Sequence, residues 1–334
     1  EILNRYDIEK VNRTYALFSL GKLGGKELNY SSDIDLVAFF DSNSLINKKI
    51  YYNQILSEAI LLFIENASKK TGSGFLYRVD FRLRPDGRNA PLCGSITEYL
   101  RYYEMRGEDW ERQMLIKANF VCGSETLYKR FSDYVSNFVY QTSFSVSPVD
   151  QIRKMKTSIE KRNKFDENIK LVSGGIQDIE FSLQALQLLT GGKDLFVRSG
   201  NSIEAIAKLK EKNILTENEA EVFLNSYTFY RKAEHYLQLM NDQQTHTIPS
   251  EGEIAEKLSH FLGFKDLKSF KEYLRLSKAK VQSVYNSIAG TEKLVEVKND
   301  FDKINFTDTK RAQNNLEFLR TGKNLFEKKQ FDSR

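Results

Sequence analysis

Residues 17–40 read LFSLGKLGGKELNYSSDIDLVAFF, and this stretch decides the fold. An apolar run ends in Gly21-Lys22-Leu23-Gly24-Gly25, and a polar connection follows. Ser32-Asp33-Ile34-Asp35-Leu36 then leads into a second apolar run. The pattern predicts a strand over 15–20, a glycine-rich turn, and a strand over 34–40. Side chains alternate along a strand, so Asp33 and Asp35 share one face about 7 Å apart, while Ile34 and Leu36 take the other. Glycines let backbone N–H groups approach an anion. Two carboxylates beside such a turn form a hard oxygen site suited to Mg²⁺ and a nucleotide's phosphates. An Asp-x-Asp pair alone is more often a turn or a solvated strand end, so a third acid matters.

Asp80 supplies it. Residues 76–84 read as a third strand, ending at Pro85. Val79, Phe81 and Leu83 share one face, which suits a core, and Asp80, Arg82 and Arg84 share the other. Three charges on one side of such a strand must meet solvent, a partner or a ligand. Beside Asp33 and Asp35, Asp80 completes a carboxylate triad, and Arg82 and Arg84 offer forks to phosphate oxygens. The competing reading is an exposed strand face with cross-strand ion pairs.

The 334 residues suffice for two domains, each with its own core. A hydrophobic content of 40% beside 28% charged residues excludes a disordered chain. The net charge of +5 is spread along the sequence and gives no sign of a nucleic-acid partner. Cys93 and Cys122 lie in no metal or redox spacing, which fits a reducing cytoplasm. The longest apolar run, residues 59–64, is far short of the roughly 20 residues of a membrane span. His235, His246 and His260 show no metal-ligand spacing, so no zinc site is expected. The chain opens on Glu1 rather than Met and carries no signal peptide, as expected of a piece of a longer protein.

Residues before Tyr15 resemble a polar helix. Tyr52, Ile55, Leu56, Ala59, Ile60, Phe63 and Ile64 recur at helical spacing and predict an amphipathic helix over 51–69 covering one sheet face. Ser95 with Glu98 fits a capping box opening the next helix. Trp110, the only tryptophan, reads as a core anchor rather than a stacking platform. Residues 115–121 read as a helix end or a strand. After Gly123 helical periodicity dominates. Helices are expected over 125–140, 148–163, 176–190, 202–212, 216–240, 253–262, 266–288 and 311–328, with Thr216 and Glu219 forming another capping box. The linker-like segment 141–148 suggests a boundary between residues 1–140 and a helical domain over 141–334. Gly174-Gly175 precedes a helix start able to accept an anion, although a plain tight turn is the commoner explanation. Asp178 complements that helix's dipole. The stretch from Glu234 to His246 is dense in polar side chains that need partners when buried.

Taken together these residues resemble a known family. Gly21, eleven intervening residues, Asp33-Ile34-Asp35 and a later strand acid are similar to the nucleotidyltransferase fold. More narrowly, six ordered motifs resemble the glutamine synthetase (glutamate-ammonia-ligase) adenylyltransferases. They are the residues 21–29 and 32–36, Val79 to Pro85, Asp109-Trp110-Glu111-Arg112-Gln113, Gly174-Gly175-Ile176 with Ile179-Glu180-Phe181, and Asp242-Gln243-Gln244-Thr245-His246. The resemblance implies an α+β architecture: a nucleotidyltransferase domain with a mixed sheet and flanking helices, then an all-helical bundle.

Such enzymes carry two nucleotidyltransferase units. One removes AMP from an adenylylated tyrosine of glutamine synthetase with phosphate, releasing ADP; the other attaches AMP from ATP. Tyr30 to Asp35 and Gly107-Glu108-Asp109-Trp110-Glu111-Arg112 look like the AMP-removing unit, because the other usually shows Trp-Thr-Trp-Glu-His at the latter place. The resemblance implies Asp33, Asp35 and Asp80 as catalytic, Mg²⁺-holding residues. It places Gly21, Lys22, Ser32, Arg82 and Arg84 at the nucleotide and phosphate. It implies glutamine synthetase as partner, the PII signal protein as regulator, and no nucleic acid or membrane. The alternatives are ATP-dependent adenylylation or another nucleotidyl transfer, and a catalytically silent regulator-binding module. Lys26 and Gln177-Asp178 depart from the family's usual Arg and Arg-Glu. Losing an arginine there removes a fork-shaped phosphate donor beside Gly174-Gly175.

Overall fold

The computed structural model describes residues 1–290 apart from 12, 47, 49, 73, 145, 163–167 and 242–244. Residues Glu1–Ala289 form one compact unit. The helix expected over 311–328 lies outside the described residues.

The first strand, β1 (Tyr15–Ser19), turns at the glycines into a one-turn helix, Gly21–Gly24. The chain returns as β2 (Asp33–Phe40), antiparallel to β1 with Tyr15 opposite Phe40. A two-residue hairpin, β3 (Leu45–Ile46) and β4 (Ile50–Tyr51), leads into the Tyr52–Ser68 helix. The free edge of β2 is then shared. Its first half pairs in parallel with β5 (Arg78–Asp80), and its second half with β6 (Cys93–Ser95). Finally β7 (Asn119–Gly123) adds antiparallel to the far side of β1. The sheet is mixed, as expected.

Alternation along β2 sorts its residues between two cores. Ile34, Leu36, Ala38 and Phe40 pack with Tyr52, Leu56 and Ile60 of the long helix. Val37 and Phe39 face the other side, with Phe18, Ile96, Tyr103 and Phe131. Fully burying a side chain of this size stabilises by roughly 1.5–3 kcal/mol, so the pattern pins the register of β2. Asp33 and Asp35 lie on the Val37 and Phe39 face, where that core runs out. Leu188, from the Ile176–Thr190 helix, belongs to the same core. The helical half therefore covers the face that carries the acids.

The periodicity-based helices appear at Glu125–Val139, Pro148–Arg162, Ile176–Thr190, Ser202–Glu211, Glu217–Asn241, Glu253–Phe261 and Leu267–Gly290. Both capping boxes form. The backbone N–H of Ser95 donates to Glu98 Oε2 at 2.7 Å, and that of Thr216 to Glu219 Oε2 at 2.9 Å. Three expectations change. The amino-terminal helix is only Ile2–Arg5, because Asp7 takes a φ of 53° and Ile8 is buried with Ile2, Ile50 and Ile55. The segment over 115–121 becomes the end of the Asp109–Leu115 helix and then β7. The third strand stops at Asp80, where the Arg82 N–H donates to Asp80 Oδ1 at 2.7 Å and turns the chain. As a result Phe81 and Leu83 pack into cores on opposite sides of the sheet.

Gly24 shows how tightly the turn is held. A Cβ there would lie 1.8 Å from the Lys117 carbonyl oxygen and 2.8 Å from that of Ser19. Both obstacles are backbone, so Gly24→Ala is expected to destabilise the chain by at least about 3 kcal/mol in urea unfolding. A loss below about 1 kcal/mol would show that the turn can retreat from residue 117.

Candidate active site

The parallel pairing of β2 with β5 sets Asp33 opposite Arg78, Ile34 opposite Val79 and Asp35 opposite Asp80. Neighbouring strands lie about 4.8 Å apart, so Asp35 and Asp80 stand side by side on one face, with Asp33 one pleat away. Gly21 approaches them from the turn. Its φ is +54°, and a Cβ on it would lie 2.5 Å from Asp35 Oδ2. Glycine is required here for both conformation and space.

The acids open into a cleft of about 410 Å³. Gly21, Lys22, Ser32, Asp33, Asp35, Asp80 and Arg82 form its floor and one wall. Leu83, Trp110, Met114, Met155 and Phe181 add apolar surface, and Gln113, Lys117, Lys170, Glu180 and Gln184 complete it. A larger cleft, about 580 Å³, is lined by Phe40, Cys93, Tyr99 and Arg106 among others and contains none of the three acids. Chemistry rather than size selects the smaller one.

Burial, and then the charges of Asp80 and Asp33, push the Asp35 carboxyl up to about 6. The site thus penalises its own anion. Burial opposes ionisation of Asp80 too, but hydrogen bonds from Arg82 prevail and hold it below the usual carboxylate range. Arg78 Nε donates to Asp33 Oδ1 at 2.6 Å, and its second arm reaches the Ser31 carbonyl oxygen at 2.8 Å. Ser32 Oγ is buried and has no hydrogen-bond partner, although it lines the cleft.

Would this donor set suit the Mg²⁺ that the resemblance implies? Three carboxylates are the hard ligands such an ion takes. The raised Asp35 and the orphaned Ser32 hydroxyl mark a place prepared for a cation and its anionic ligand. As arranged, the acids do not converge on one point among the described residues, because Arg78 draws on Asp33 and Arg82 on Asp80. Arg82 is 55% exposed, so its guanidinium has solvent to turn into when a cation takes its place at Asp80. The residues fit.

The other expected ligands divide. Arg84 is absent from the cleft lining and is buried. Its guanidinium donates to the carbonyl oxygens of Phe81, Arg88, Ala90 and Pro91, which fixes the loop after β5. It is therefore corrected from phosphate ligand to loop clamp. Its side chain never reached the acids because the strand had already turned at Asp80. Lys22 does line the cleft, yet its ammonium donates to Glu234 Oε1 at 2.8 Å. Trp110 is corrected in the opposite sense. It is 40% exposed at the cleft, with Nε1 donating to Glu108 Oε2 at 2.6 Å, and is not a core anchor. The Gly174-Gly175 turn is internally satisfied. The N–H groups of Gly174, Gly175, Ile176 and Gln177 donate to Asp178 Oδ2, Val172 O, Ile169 O and Lys170 O.

The polar stretch beginning at Glu234 finds its partners here. Glu234 is fully buried and meets Lys22, Arg231 and His246. Burial opposes its charge, but the His246 ring nitrogen 2.6 Å away and the two cations hold the carboxylate well below its ordinary range. Gln238 accepts from the Ser31 N–H at 3.2 Å. Lys117 joins Glu27 at 2.9 Å to Glu180 at 3.2 Å. Asp242, Gln243 and Gln244 lie outside the described residues.

Residues 6–134 match the family model described as glutamate-ammonia ligase adenylyltransferase. Over 284 residues, 83% of the chain, it is 32% identical to a bifunctional glutamine synthetase adenylyltransferase/adenylyl-removing enzyme of Mesorhizobium japonicum. The chain belongs to the glutamine synthetase adenylyltransferase family. A relative of the same description from Rhizobium meliloti is 34% identical over 265 residues, 77% of the chain. One from Brucella melitensis is 31% identical over 281 residues, 82% of the chain. The adenylyltransferase-like chain spans 27–29% of the length of these relatives. Residues 150–289 match a second model, described as GlnD PII-uridylyltransferase. Among the described residues no helix is long and apolar enough to cross a membrane.

Proposed function

We propose that this chain is the adenylyl-removing unit: it takes AMP off an adenylylated tyrosine of glutamine synthetase by phosphorolysis. One observation carries the direction. Trp110, from the segment Gly107 to Arg112 that resembles the AMP-removing type, stands in the wall of the carboxylate cleft. On this reading the difference between the two unit types falls in the wall of the substrate cleft.

An oxygen of inorganic phosphate attacks the AMP phosphorus. The bond from that phosphorus to the tyrosine oxygen breaks, the tyrosine oxygen takes up a proton, and ADP forms. Mg²⁺ held by Asp33, Asp35 and Asp80 would supply charge stabilisation at the nonbridging oxygens. Asp80, with its depressed pKa, is a poor proton acceptor and serves as a ligand; a phosphate dianion needs no base to attack. Gly21 lets the turn close on Asp35, and the unpartnered Ser32 hydroxyl in the cleft lining would donate to the phosphate. Trp110, Met114, Met155 and Phe181 offer flat apolar surface to an adenine or phenol ring, while water is displaced from the acids. The same reading assigns regulation to a PII signal protein.

Adenylylated glutamine synthetase incubated with this chain and Mg²⁺ should release ADP only when phosphate is present. Release of AMP without phosphate would replace phosphorolysis by hydrolysis. Incorporation of AMP from ATP into unmodified glutamine synthetase, with no ADP release, would assign the opposite direction.

A further inference from the structure

Every cation of the cleft but one is engaged. Lys22 is bound to Glu234, Arg82 to Asp80, and Lys117 to Glu27 and Glu180. Lys170 lines the same cleft, half-buried, and its ammonium has no hydrogen bond or ion pair among the described residues. Its backbone, by contrast, is held at both ends. The N–H donates to Asn168 Oδ1 at 3.0 Å, and the carbonyl oxygen accepts from the Gln177 N–H at 3.1 Å. The fixed backbone aims a free charge from the helical half toward the acids, and that charge is felt at Asp35 and at Glu180.

A half-buried lysine without a counter-ion is costly unless an anion arrives. We propose that Lys170 is the subsite for the phosphoryl group that is not AMP's own: inorganic phosphate on entry, the β-phosphate of ADP on departure. In the reaction proposed above these are one group before and after transfer, so a single cation suits both. The inference rests on that reading of the site.

The test uses Trp110, the only tryptophan and itself in the cleft wall, as an optical reporter of occupancy. The chain is titrated with Mg²⁺ and ADP, with Mg²⁺ and AMP, and with inorganic phosphate at saturating AMP. Wild type should prefer ADP to AMP. Lys170→Met, which keeps the aliphatic stem, should weaken ADP by about 10- to 100-fold, the worth of one charge-assisted hydrogen bond. AMP should change by less than about 3-fold, and Lys170→Arg should recover most of the ADP affinity. If phosphate weakens with ADP, the subsite serves both sources. If ADP alone weakens, it serves the nucleotide's own β-phosphate. Equal losses for AMP and ADP, or no loss, overturn the assignment. A folded wild-type chain that binds no nucleotide at all overturns the proposed function itself, and this inference with it.

Discussion

If the proposed function holds, Asp35→Asn is expected to lower adenylyl removal by at least about 10³-fold, because one hard ligand of the proposed Mg²⁺ would be lost. The same substitution should make the metal-free chain more stable at neutral pH. Asp35 ionises near 6 when folded against an ordinary value of 3.8, so the native state keeps a proton that the unfolded chain has released. That contribution to stability is fully present below about pH 4 and is lost as pH rises through 6. The shift bounds the loss at up to about 3 kcal/mol. Asparagine carries no charge and does not suffer it. Urea unfolding in chelator at pH 4 and pH 7.5 should therefore show variant and wild type diverging only at the higher pH. Added Mg²⁺ should restore wild type and not the variant. Near-normal turnover would remove Asp35 from the site, and equal stabilities at both pH values would sink the electrostatic account.

Glu234→Ala carries the largest expected cost to folding. The carboxylate has no exposure to solvent and receives Lys22, Arg231 and His246. Removing it leaves two buried cations facing one another, which costs about 3–5 kcal/mol. Lys22→Met should cost clearly less, because Glu234 keeps Arg231 and His246. The pair should be strongly non-additive in a double-mutant cycle, since Glu234→Ala already strips Lys22 of its partner. Turnover should fall in both variants through displacement of the turn beside Asp35. Additive losses would show that Lys22 and Glu234 do not act as one unit.

What the sequence made legible was local. Asp33, Asp35 and Asp80 were readable because period-two alternation fixes which side chains share a face, and the register of β2 with β5 then brought them together. The helices after Gly123 were readable because each buries a stripe at helical spacing. The reading overran at Arg82 and Arg84 because Val79, Phe81 and Leu83 keep alternating after the backbone has turned, and the side chain of Asp80 makes that turn. Strand β6 left no trace, since three residues including Gly94 have no periodicity. Trp110 and Lys170 were misjudged or missed for a different reason. Their place in the cleft depends on how the Asp109–Leu115 helix and the Lys170 loop dock, and no short-range pattern encodes docking.

The contact between Lys22 and Glu234 has a mechanical consequence. Glu234 sits on the long Glu217–Asn241 helix, which runs through the helical half. Lys22 sits in the turn whose Gly21 presses on Asp35. A force on that helix, from anything that leans on its outer turns, acts as a lever with a fulcrum in the core and its short arm one residue from the acids. Throttling such a centre would require no signal relayed residue by residue, only a small tilt of one rod.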